Sequence, residues 1–299
     1  MYEDQKMTMT AHIINAFTEN GKGGNPAAVI LDRKDLTPSQ RQEIARTIGV
    51  SETVFLDDLQ YADFYTPTHQ IPNCGHATIA AFALANAEIG YSMGGFDMTT
   101  SHAPKTRQSI VTDGQKIFLE IPISKREIWQ DGSLDDEGKI LQALNLSAKY
   151  RESALPIYYS GFGTKFILVP VQSSEILRSI QPNLSAINTL SKQFKVAGFY
   201  PFTLETEKAG RDAQARMFAP AYGIDEESAT GMAAAALAHY LVKERGLHQE
   251  RILIEQGHHM KKASPSLLET RLQRGWFGQL NSIQIGGQTR TMSELKLEL

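Results

Sequence analysis

Residues 70–84 decide the fold of this chain and read Gln-Ile-Pro-Asn-Cys-Gly-His-Ala-Thr-Ile-Ala-Ala-Phe-Ala-Leu. Pro72 and Gly75 predict a turn, and the pattern after them predicts a helix that starts at His76 or Ala77. The helix is apolar around nearly its whole circumference, which predicts that it is buried. The first N–H groups of a helix have no partner inside it and favour anions. Cys74, the only cysteine of the chain, therefore stands with His76 where an anionic group can bind.

The composition is that of a globular protein and argues against several classes of partner. The 299 residues are 41% hydrophobic and 21% charged with a net charge of −3, enough for one large domain or two ordinary ones. We see no basic stripe, so neither nucleic acid nor a membrane surface is an expected partner. No apolar run reaches about 18 residues, and the polar start Met1–Lys6 predicts no signal peptide. A single cysteine excludes an internal disulfide framework and argues against a cysteine-based metal site. We expect a cytoplasmic protein.

The first half of the chain reads as alternating strands and helices. Thr37, Pro38 and Gln40 predict a helix that opens with a capping box, and Gly49 predicts its C-terminal cap. The Asp113-Gly114 pair predicts a hairpin between residues 109–112 and 117–121. Further strands are predicted at residues 11–17, 27–31, 50–56 and 63–66.

The second half repeats this plan and ends in a second apolar helix. Strands are predicted at residues 158–171, 197–204, 213–218, 252–257 and 282–287, and helices at 135–144, 173–180, 184–194 and 233–243. The second apolar helix follows Thr230-Gly231-Met232-Ala233, which matches Cys74-Gly75-His76-Ala77 in position. The repeat predicts an α+β protein of two pseudo-symmetric halves, residues 1–125 and 126–299. Their two helix starts would face one anion-binding cleft.

Several motifs, in this order and at these spacings, resemble the PhzF-like phenazine-biosynthesis proteins, which have the diaminopimelate-epimerase fold. The resemblance runs from Ile13 to about Gly287. Its motifs are Gly-Asn-Pro-Ala-Ala-Val at 24–29, Ser-Glu-Thr-Val-Phe at 51–55, Tyr-Thr-Pro at 65–67, Gly-His-Ala-Thr at 75–78, Arg-Met-Phe-Ala-Pro at 216–220, Ala-Thr-Gly at 229–231 and Gln-Gly at 256–257. It implies two domains, each a curved mixed sheet around a central helix, with the active site between them. It also implies proton transfer without metal or cofactor, and a homodimer.

The resemblance also implies roles for single residues. Glu52 matches the general acid/base of the family, and His76 matches the histidine of its Gly-His motif. Glu227 stands where the family usually has Asp, and Met232 stands where it usually has Ser. Cys74 stands where the family commonly has Ala. These departures weaken the expectation that the substrate is the dihydro-hydroxyanthranilate of the phenazine enzyme.

The residues themselves are consistent with acid/base chemistry on a small carboxylate-bearing metabolite. A carboxyl group such as that of Glu52 has a raised pKa in a water-poor cleft and can exchange a proton near neutral pH. Glu227 would pair with His76 and hold its imidazole in one tautomer. The plainer alternatives are a solvent-facing Glu52, a His76 that caps its own helix and a solvated Glu227. We predict Glu52, His76 and Glu227 as catalytic residues. Predicted substrate contacts are Asn25, Cys74, Gly75, Ala77, Thr230, Gly231, Met232 and Gln256.

Cys74 keeps two other functions open. In the epimerase branch of the fold, a cysteine at this position is one of two thiol bases. The matching position in the second half is Thr230, which excludes a two-thiol epimerase. A one-thiol epimerase or dehydratase stays open, because a helix N-terminus favours the thiolate. Cys74 as a buried small hydrophobe, in a binding protein that has lost catalysis, is also open.

Overall fold

The structure of the chain is a computed structural model that describes residues 8–59, 61–90, 93–100, 103–114, 116–123, 130–131 and 134–298. The prediction for Met1–Lys6 lies outside these residues. The chain divides into two compact units. Unit 1 comprises Met1–Gly21, Asn25–Leu119 and Gln288–Leu299, and unit 2 comprises Lys22–Gly24 and Glu120–Gly287. The predicted domain boundary at residues 125 and 126 stays a prediction.

Runs of strands are separated by single helices or helix pairs along the described chain, which agrees with the predicted α+β class. The strands are β1 Thr8–Thr18, β2 Asn25–Leu31, β3 Glu52–Asp57, β4 Tyr61–Tyr65, β5 Gln70–Ile71, β6 Met93–Thr100, β7 Ala103–Asp113, β8 Lys116–Pro122, β9 Gln130–Asp131, β10 Tyr158–Phe162, β11 Thr164–Pro170, β12 Gly198–Thr203, β13 Ala213–Ala215, β14 Met217–Ala219, β15 Ile224–Glu227, β16 Arg251–Gln256, β17 Ser266–Arg274 and β18 Leu280–Glu298. The α-helices are α1 Pro38–Ile48, α2 Gly75–Ile89, α3 Leu134–Ala143, α4 Ser174–Ser179, α5 Leu184–Phe194 and α6 Gly231–Arg245.

Unit 1 is built on a mixed sheet. Strand β1 pairs antiparallel with β2, and β2 pairs parallel with β3, so that Ala27 lies opposite Glu52. A parallel pair needs a crossover, which α1 supplies. Strand β4 pairs antiparallel with β3 and parallel with β6. This register places Glu52, the first residue of β3, near the start of β2, two residues after Asn25 begins that strand.

Helix α1 confirms the local sequence prediction. Thr37 Oγ1 accepts from the backbone N–H of Gln40, and Gln40 Oε1 accepts from the N–H of Thr37, which completes the capping box. Gly49 ends the helix with φ +73°, the left-handed conformation that glycine adopts without strain. The buried side chains of Ile44 and Ala45 pack in a cluster with Phe55 of β3.

Two apolar helices of equal length belong one to each unit. Helix α2 contacts β1, β2 and β3, and α6 contacts β10, β11 and β17. Each has 15 residues and ends at a glycine with positive φ, Gly90 at +64° and Gly246 at +61°. The N-cap residues are Cys74 and Thr230, and neither side chain caps its helix. Helix α2 begins at Gly75, one residue before His76, the earlier of its two predicted starts.

Unit 2 repeats the order of pairings found in unit 1. Strand β10 pairs antiparallel with β11, β11 pairs parallel with β12, and helices α4 and α5 lie between those two strands in sequence. Strand β12 then pairs antiparallel with β13 and β14. A core of aliphatic residues with Phe199 and Phe218 lies under α3, α4 and α5. The predicted helices and the hairpin strands around Gly163 are confirmed.

The single strand predicted over residues 213–218 is wrong, because the structure has two strands separated at Arg216. The guanidinium of Arg216 donates to both carboxylate oxygens of Glu226, at 2.8 and 2.9 Å, and to the carbonyl of Ile180 at 2.8 Å. Arg216 is only 5% exposed. Its buried charge therefore needs these acceptors, which lie in β15 and directly after α4.

The closing strand is much longer than the predicted residues 282–287. Residues 288–298 continue β18 and pair antiparallel with β1, from Gln288 opposite Thr18 to Glu298 opposite Thr8. Most of these residues are polar, only 294–298 alternate polar and apolar, and their partner strand lies at the other end of the chain. Among the described residues, no helix is both long and apolar enough to cross a membrane.

We predict that Arg41→Ala lowers the free energy of unfolding by about 3–5 kcal/mol, because it leaves a buried carboxylate without its cation. Arg41 donates to Asp57 at 2.7 Å and to Asp63 at 3.0 Å, and both Arg41 and Asp57 are buried. Urea denaturation measures the change. The control is Arg46→Ala on the same helix, whose exposed pair with Glu43 should contribute less than about 1 kcal/mol. Equal losses in the two variants would contradict the prediction.

Candidate active site

Glu52 opens β3 and is buried, with 4% of its surface exposed. Its Oε2 lies 3.1 Å from Nε2 of His76, the second residue of α2, which is also 4% exposed. The alternative of a solvent-facing Glu52 is therefore wrong. The parallel register of β2 and β3 and the burial of α2 bring this carboxylate and this imidazole together.

The other ring nitrogen of His76 contacts two more predicted site residues. His76 Nδ1 lies 3.3 Å from Cys74 Sγ and 3.3 Å from Asn25 Nδ2. In the neutral tautomer with its proton on Nε2, the imidazole donates to Glu52 and accepts from the Asn25 amide. When the ring carries both protons, Nδ1–H donates toward the sulfur of Cys74. The structure thus brings together Asn25, Glu52, Cys74 and His76 in unit 1.

The charges of Glu52 and His76 stabilise each other. Burial by itself raises the pKa of Glu52, but the His76 charge and hydrogen bonds from His76 and Ser51 outweigh burial and hold the pKa below its ordinary value of 4.5. Burial also lowers the pKa of His76, yet its neighbours Cys74 and Glu52 raise it well above 6.5. The Glu52 carboxylate and the His76 imidazolium therefore each favour the charged form of the other. The expectation that a water-poor site raises the pKa of Glu52 is wrong for this state, because the imidazolium lies so close.

The expectation of a lowered pKa for Cys74 is also wrong. Burial raises the pKa of the Cys74 thiol above 9.0, and the Glu52 carboxylate adds to this, although His76 acts in the opposite direction. The N-terminus of α2 favours a thiolate, but it does not compensate for lost solvation. Cys74 is therefore a neutral thiol at rest, and the carboxylate of Glu52 is the charged partner of His76.

Ligand atoms of Glu52, Cys74 and His76 lie within 4.8 Å of one another, close enough to hold a metal ion. The carboxylate lies at Nε2 and the sulfur at Nδ1, on different edges of the ring. The arrangement fits a proton relay better than a closed metal site. The absence of a metal and of a cofactor from the reaction stays a prediction.

A second group of predicted residues lies in unit 2 at the start of α6. Thr230 Oγ1 donates to Glu227 Oε2 in a short hydrogen bond. The backbone N–H of Thr230 donates to Gln256 Oε1 at 3.1 Å. Glu227 is half-buried and ends β15. The hydroxyl of Thr230 and the carboxylate of Glu227 thus form one hydrogen-bonded pair, and the predicted pairing of Glu227 with His76 stays a prediction.

Gln256 is fully buried and uses its whole side-chain amide inside the protein. Its Oε1 accepts from the Tyr200 hydroxyl at 2.9 Å and from Thr230 N–H. Its Nε2 donates to the Glu227 carbonyl at 2.8 Å and to Thr230 Oγ1 at 3.1 Å. Two donated and two accepted bonds exhaust the amide. These bonds give Gln256 the role of holding the start of α6, and contact with a substrate would require one of them to break.

Tyr200 is the residue of this group that the sequence interpretation missed. Burial, with the Glu227 carboxylate as a second cause, raises the pKa of Tyr200, so its hydroxyl stays protonated and donates. The signal was a tyrosine inside an apolar strand, Gly-Phe-Tyr-Pro-Phe-Thr at 198–203. A buried Tyr hydroxyl needs a partner, but the sequence does not say which one.

The other predicted contacts lie in the first turns of the two helices. Gly75 and Gly231 are the first residues of α2 and α6, and each is followed by the side chain that distinguishes the two starts, His76 or Met232. Ala77 is fully buried, so only its backbone can face a ligand. Met232 is half-buried. The role of all four residues in substrate binding stays a prediction.

Comparisons with known proteins agree with this arrangement of elements. The chain superposes on the PhzF family phenazine biosynthesis protein of Bacillus anthracis with a TM-score of 0.83, at 22% identity over 98% of this chain and 100% of that one. This likeness confirms the predicted diaminopimelate-epimerase-like α+β fold.

The sequence relatives include proteins named as isomerases. The uncharacterized isomerase YddE of Escherichia coli O157:H7 is 34% identical over 82% of this chain and 83% of its own length. The trans-2,3-dihydro-3-hydroxyanthranilate isomerase of Pseudomonas chlororaphis is 30% identical over 92% of this chain and 94% of its own. The profile of the phenazine biosynthesis-like proteins, PhzC-PhzF, matches residues 14–294. Since that match spans nearly the whole chain, the protein belongs to the phenazine biosynthesis-like (PhzF) family and is an isomerase of that type.

Proposed function

We propose that this isomerase moves a proton between two carbons of a small carboxylate-bearing metabolite by general acid/base catalysis, without a cofactor. One observation carries the proposal, the buried contact of 3.1 Å between Glu52 Oε2 and His76 Nε2. A buried carboxylate that stays ionised is a base, and the imidazolium beside it can stabilise negative charge that forms on a substrate.

The reaction would begin when Glu52 takes a proton from a carbon of the substrate. The electron pair of the broken C–H bond moves into the substrate, which becomes an anion, and Glu52 becomes a neutral acid. His76 loses its anionic partner at that moment and gains the substrate anion in its place. Glu52 then returns the proton to a different carbon. Atoms and charge balance over the cycle, and the enzyme returns to its starting state.

Binding of the substrate would itself change the pKa of the proposed base, Glu52. A carboxylate with a lowered pKa is a weak base, because His76 stabilises its ionised form. A substrate carboxylate that takes His76 as its partner would weaken that stabilisation and raise the pKa of Glu52. The C–H bond must still be acidified by conjugation, so the class of substrate we propose is an unsaturated small carboxylic acid.

The remaining expectations stay predictions. Glu227, Thr230 and Met232 are predicted to orient the same substrate, and the enzyme is predicted to act in the cytoplasm as a homodimer. The compound trans-2,3-dihydro-3-hydroxyanthranilate, named for the Pseudomonas chlororaphis relative, is a rational first probe. The replacement of the family's Ser by Met232 argues for including other unsaturated acids.

A second candidate function uses the thiol of Cys74 as the base. The observation that favours it is the 3.3 Å contact between Cys74 Sγ and His76 Nδ1, through which the imidazole could accept the thiol proton. The raised pKa of the thiol argues against it at rest. A one-thiol epimerase or dehydratase of this kind would be inactivated by a thiol reagent.

We predict that Glu52→Gln lowers the rate of proton exchange by a factor of at least about 10², because the amide cannot accept the substrate proton. Small carboxylic acids that raise the thermal unfolding temperature are incubated with the enzyme in D₂O, and deuterium uptake at carbon is measured by NMR. Cys74→Ala should keep the exchange. Glu43→Gln, at an exposed site on α1, is the matched carboxylate control and should behave like the wild type.

The same experiment separates the alternatives. Exchange that survives in Glu52→Gln and is lost in Cys74→Ala would establish the thiol mechanism in place of ours. Ligand binding without exchange in the wild-type enzyme would show a binding protein that has lost catalysis.

We further predict that His76→Gln moves the pKa of Glu52 from below 4.5 to above 4.5. The substitution removes the positive charge that lowers the pKa, while the burial that raises it remains. ¹³C NMR of the labelled glutamate carboxyl groups follows the titration, and Glu52→Gln assigns the signal. This measurement needs no substrate. A Glu52 pKa that is unchanged in His76→Gln would show that the charge of His76 does not lower the pKa of Glu52.

A further inference from the structure

A pocket in unit 2 lies between the C-terminal end of α5 and the start of β11. Its volume is about 390 Å³, at the lower end of the range of roughly 300–1,000 Å³ found for small-molecule sites. Among the described residues that line it, Lys165, Lys192 and Lys195 are basic and none is acidic. None of these three ammonium groups forms an ion pair with a carboxylate of the described residues. The pocket therefore concentrates positive charge that its surroundings leave uncompensated.

Two backbone hydrogen bonds bring the three lysines to one place. The N–H of Ala197 donates to the carbonyl of Lys165 at 2.7 Å, one residue before the parallel pairing of β11 with β12 begins. The N–H of Val196 donates to the carbonyl of Ser191 at 3.0 Å and closes the C-terminal end of α5. The last turn of this helix is therefore held beside the first residues of β11.

Lys195 occupies a backbone conformation that glycine usually adopts. Helices α1, α2 and α6 each end at a glycine in the left-handed conformation, whereas α5 ends at Lys195 with φ +55° and ψ +48°. A lysine carries strain there that a glycine would avoid. The helix dipole accounts for a cation in the last turn of α5, but it does not account for Lys165 on β11. What the three lysines have in common is the pocket that they line.

Two further lining residues carry groups suited to a ligand. Ser191 is 1% exposed, and its Oγ has no hydrogen-bond partner among the described residues. Buried hydroxyls normally have a partner, and a ligand oxygen in the pocket would supply one after rotation about χ1. Tyr222 is 46% exposed in the short helical turn Pro220–Tyr222. Its ring gives the pocket an aromatic wall beside the cations.

We propose that this pocket binds a phosphate monoester that carries an aromatic ring, of which a nucleoside monophosphate is the simplest example. A phosphate monoester has a charge of about −1.5 to −2 at pH 7, and lysine binds phosphate as a point charge. Three uncompensated lysines match this charge better than the single charge of a carboxylate. The aromatic ring of the ligand stacks on Tyr222. The proposal does not depend on the function assigned to Glu52, which lies in unit 1.

Isothermal titration calorimetry of the full chain with adenosine 5′-monophosphate at low ionic strength tests the proposal. The wild type should bind with a Kd below about 1 mM. Lys165→Gln combined with Lys195→Gln should weaken binding roughly 10-fold or more, because two of the three cations are lost. Tyr222→Ser should weaken it roughly 5-fold or more, because the stacking surface is lost. Ribose 5-phosphate, which has no aromatic ring, should lose affinity in the lysine variant but not in the tyrosine variant.

The matched control is Lys261→Gln combined with Lys262→Gln, which removes two exposed charges outside the pocket and should leave the affinity unchanged. Circular dichroism verifies that each variant is folded. A wild type that does not bind the nucleotide, or a Lys165/Lys195 variant that binds it like the wild type, would overturn the proposal. Inorganic phosphate that binds as tightly as the nucleotide would reduce the pocket to an ion site and would overturn it too. Loss of binding in Glu52→Gln would assign the nucleotide to the candidate active site instead.

Discussion

An ionised carboxylate that is 4% exposed needs a cation beside it, and this requirement governs the arrangement of unit 1 around Glu52. The parallel register of β2 and β3 places Glu52 at a strand end, and the buried helix α2 places His76 at 3.1 Å from it. Asn25 and Cys74 then share the other ring nitrogen. The imidazole is the centre of the group, because each neighbour contacts one of its two edges. Any change that removes its charge must alter the carboxylate as well.

The two units surround the N-termini of their apolar helices, α2 and α6, with different side chains. Cys74 and Thr230 occupy the same N-cap position of two 15-residue apolar helices, and neither caps its helix with its side chain. In unit 1 the start of α2 is surrounded by the ionisable side chains of Glu52, Cys74 and His76, which contact one another. In unit 2 it is held by the neutral amide of Gln256 and by Tyr200, with Glu227 bonded to Thr230. The groups of the proposed proton transfer therefore lie at the first helix start, and the second start is held by hydrogen bonds with Gln256.

Short sequence motifs correctly predicted the elements that depend on interactions between residues close in sequence. Helix α1 followed from Thr37, Pro38, Gln40 and Gly49, because a capping box and a left-handed glycine act within a few residues. The strand formed by residues 288–298 was missed, because its partner β1 lies nearly the whole chain away. Strands β6 and β17 were missed too, since β-pairing depends on neighbours rather than on intrinsic preference. The break at Arg216 likewise depends on acceptors from α4 and β15, which no window around residue 216 contains.

The sequence by itself determined the α+β class, the two apolar helices, the family and the candidate residues Glu52, His76, Cys74 and Glu227. These follow from hydrophobic periodicity and from motifs that keep their order along the chain. Only the tertiary structure decided that Glu52 pairs with His76, that the Gln256 amide forms all its hydrogen bonds within the protein, and that the thiol of Cys74 is neutral. It also reversed the expected pKa shift of Glu52. The physical reason is that a pKa depends on burial and on charges a few ångströms away, and residues 52 and 76 become neighbours only after the chain has folded.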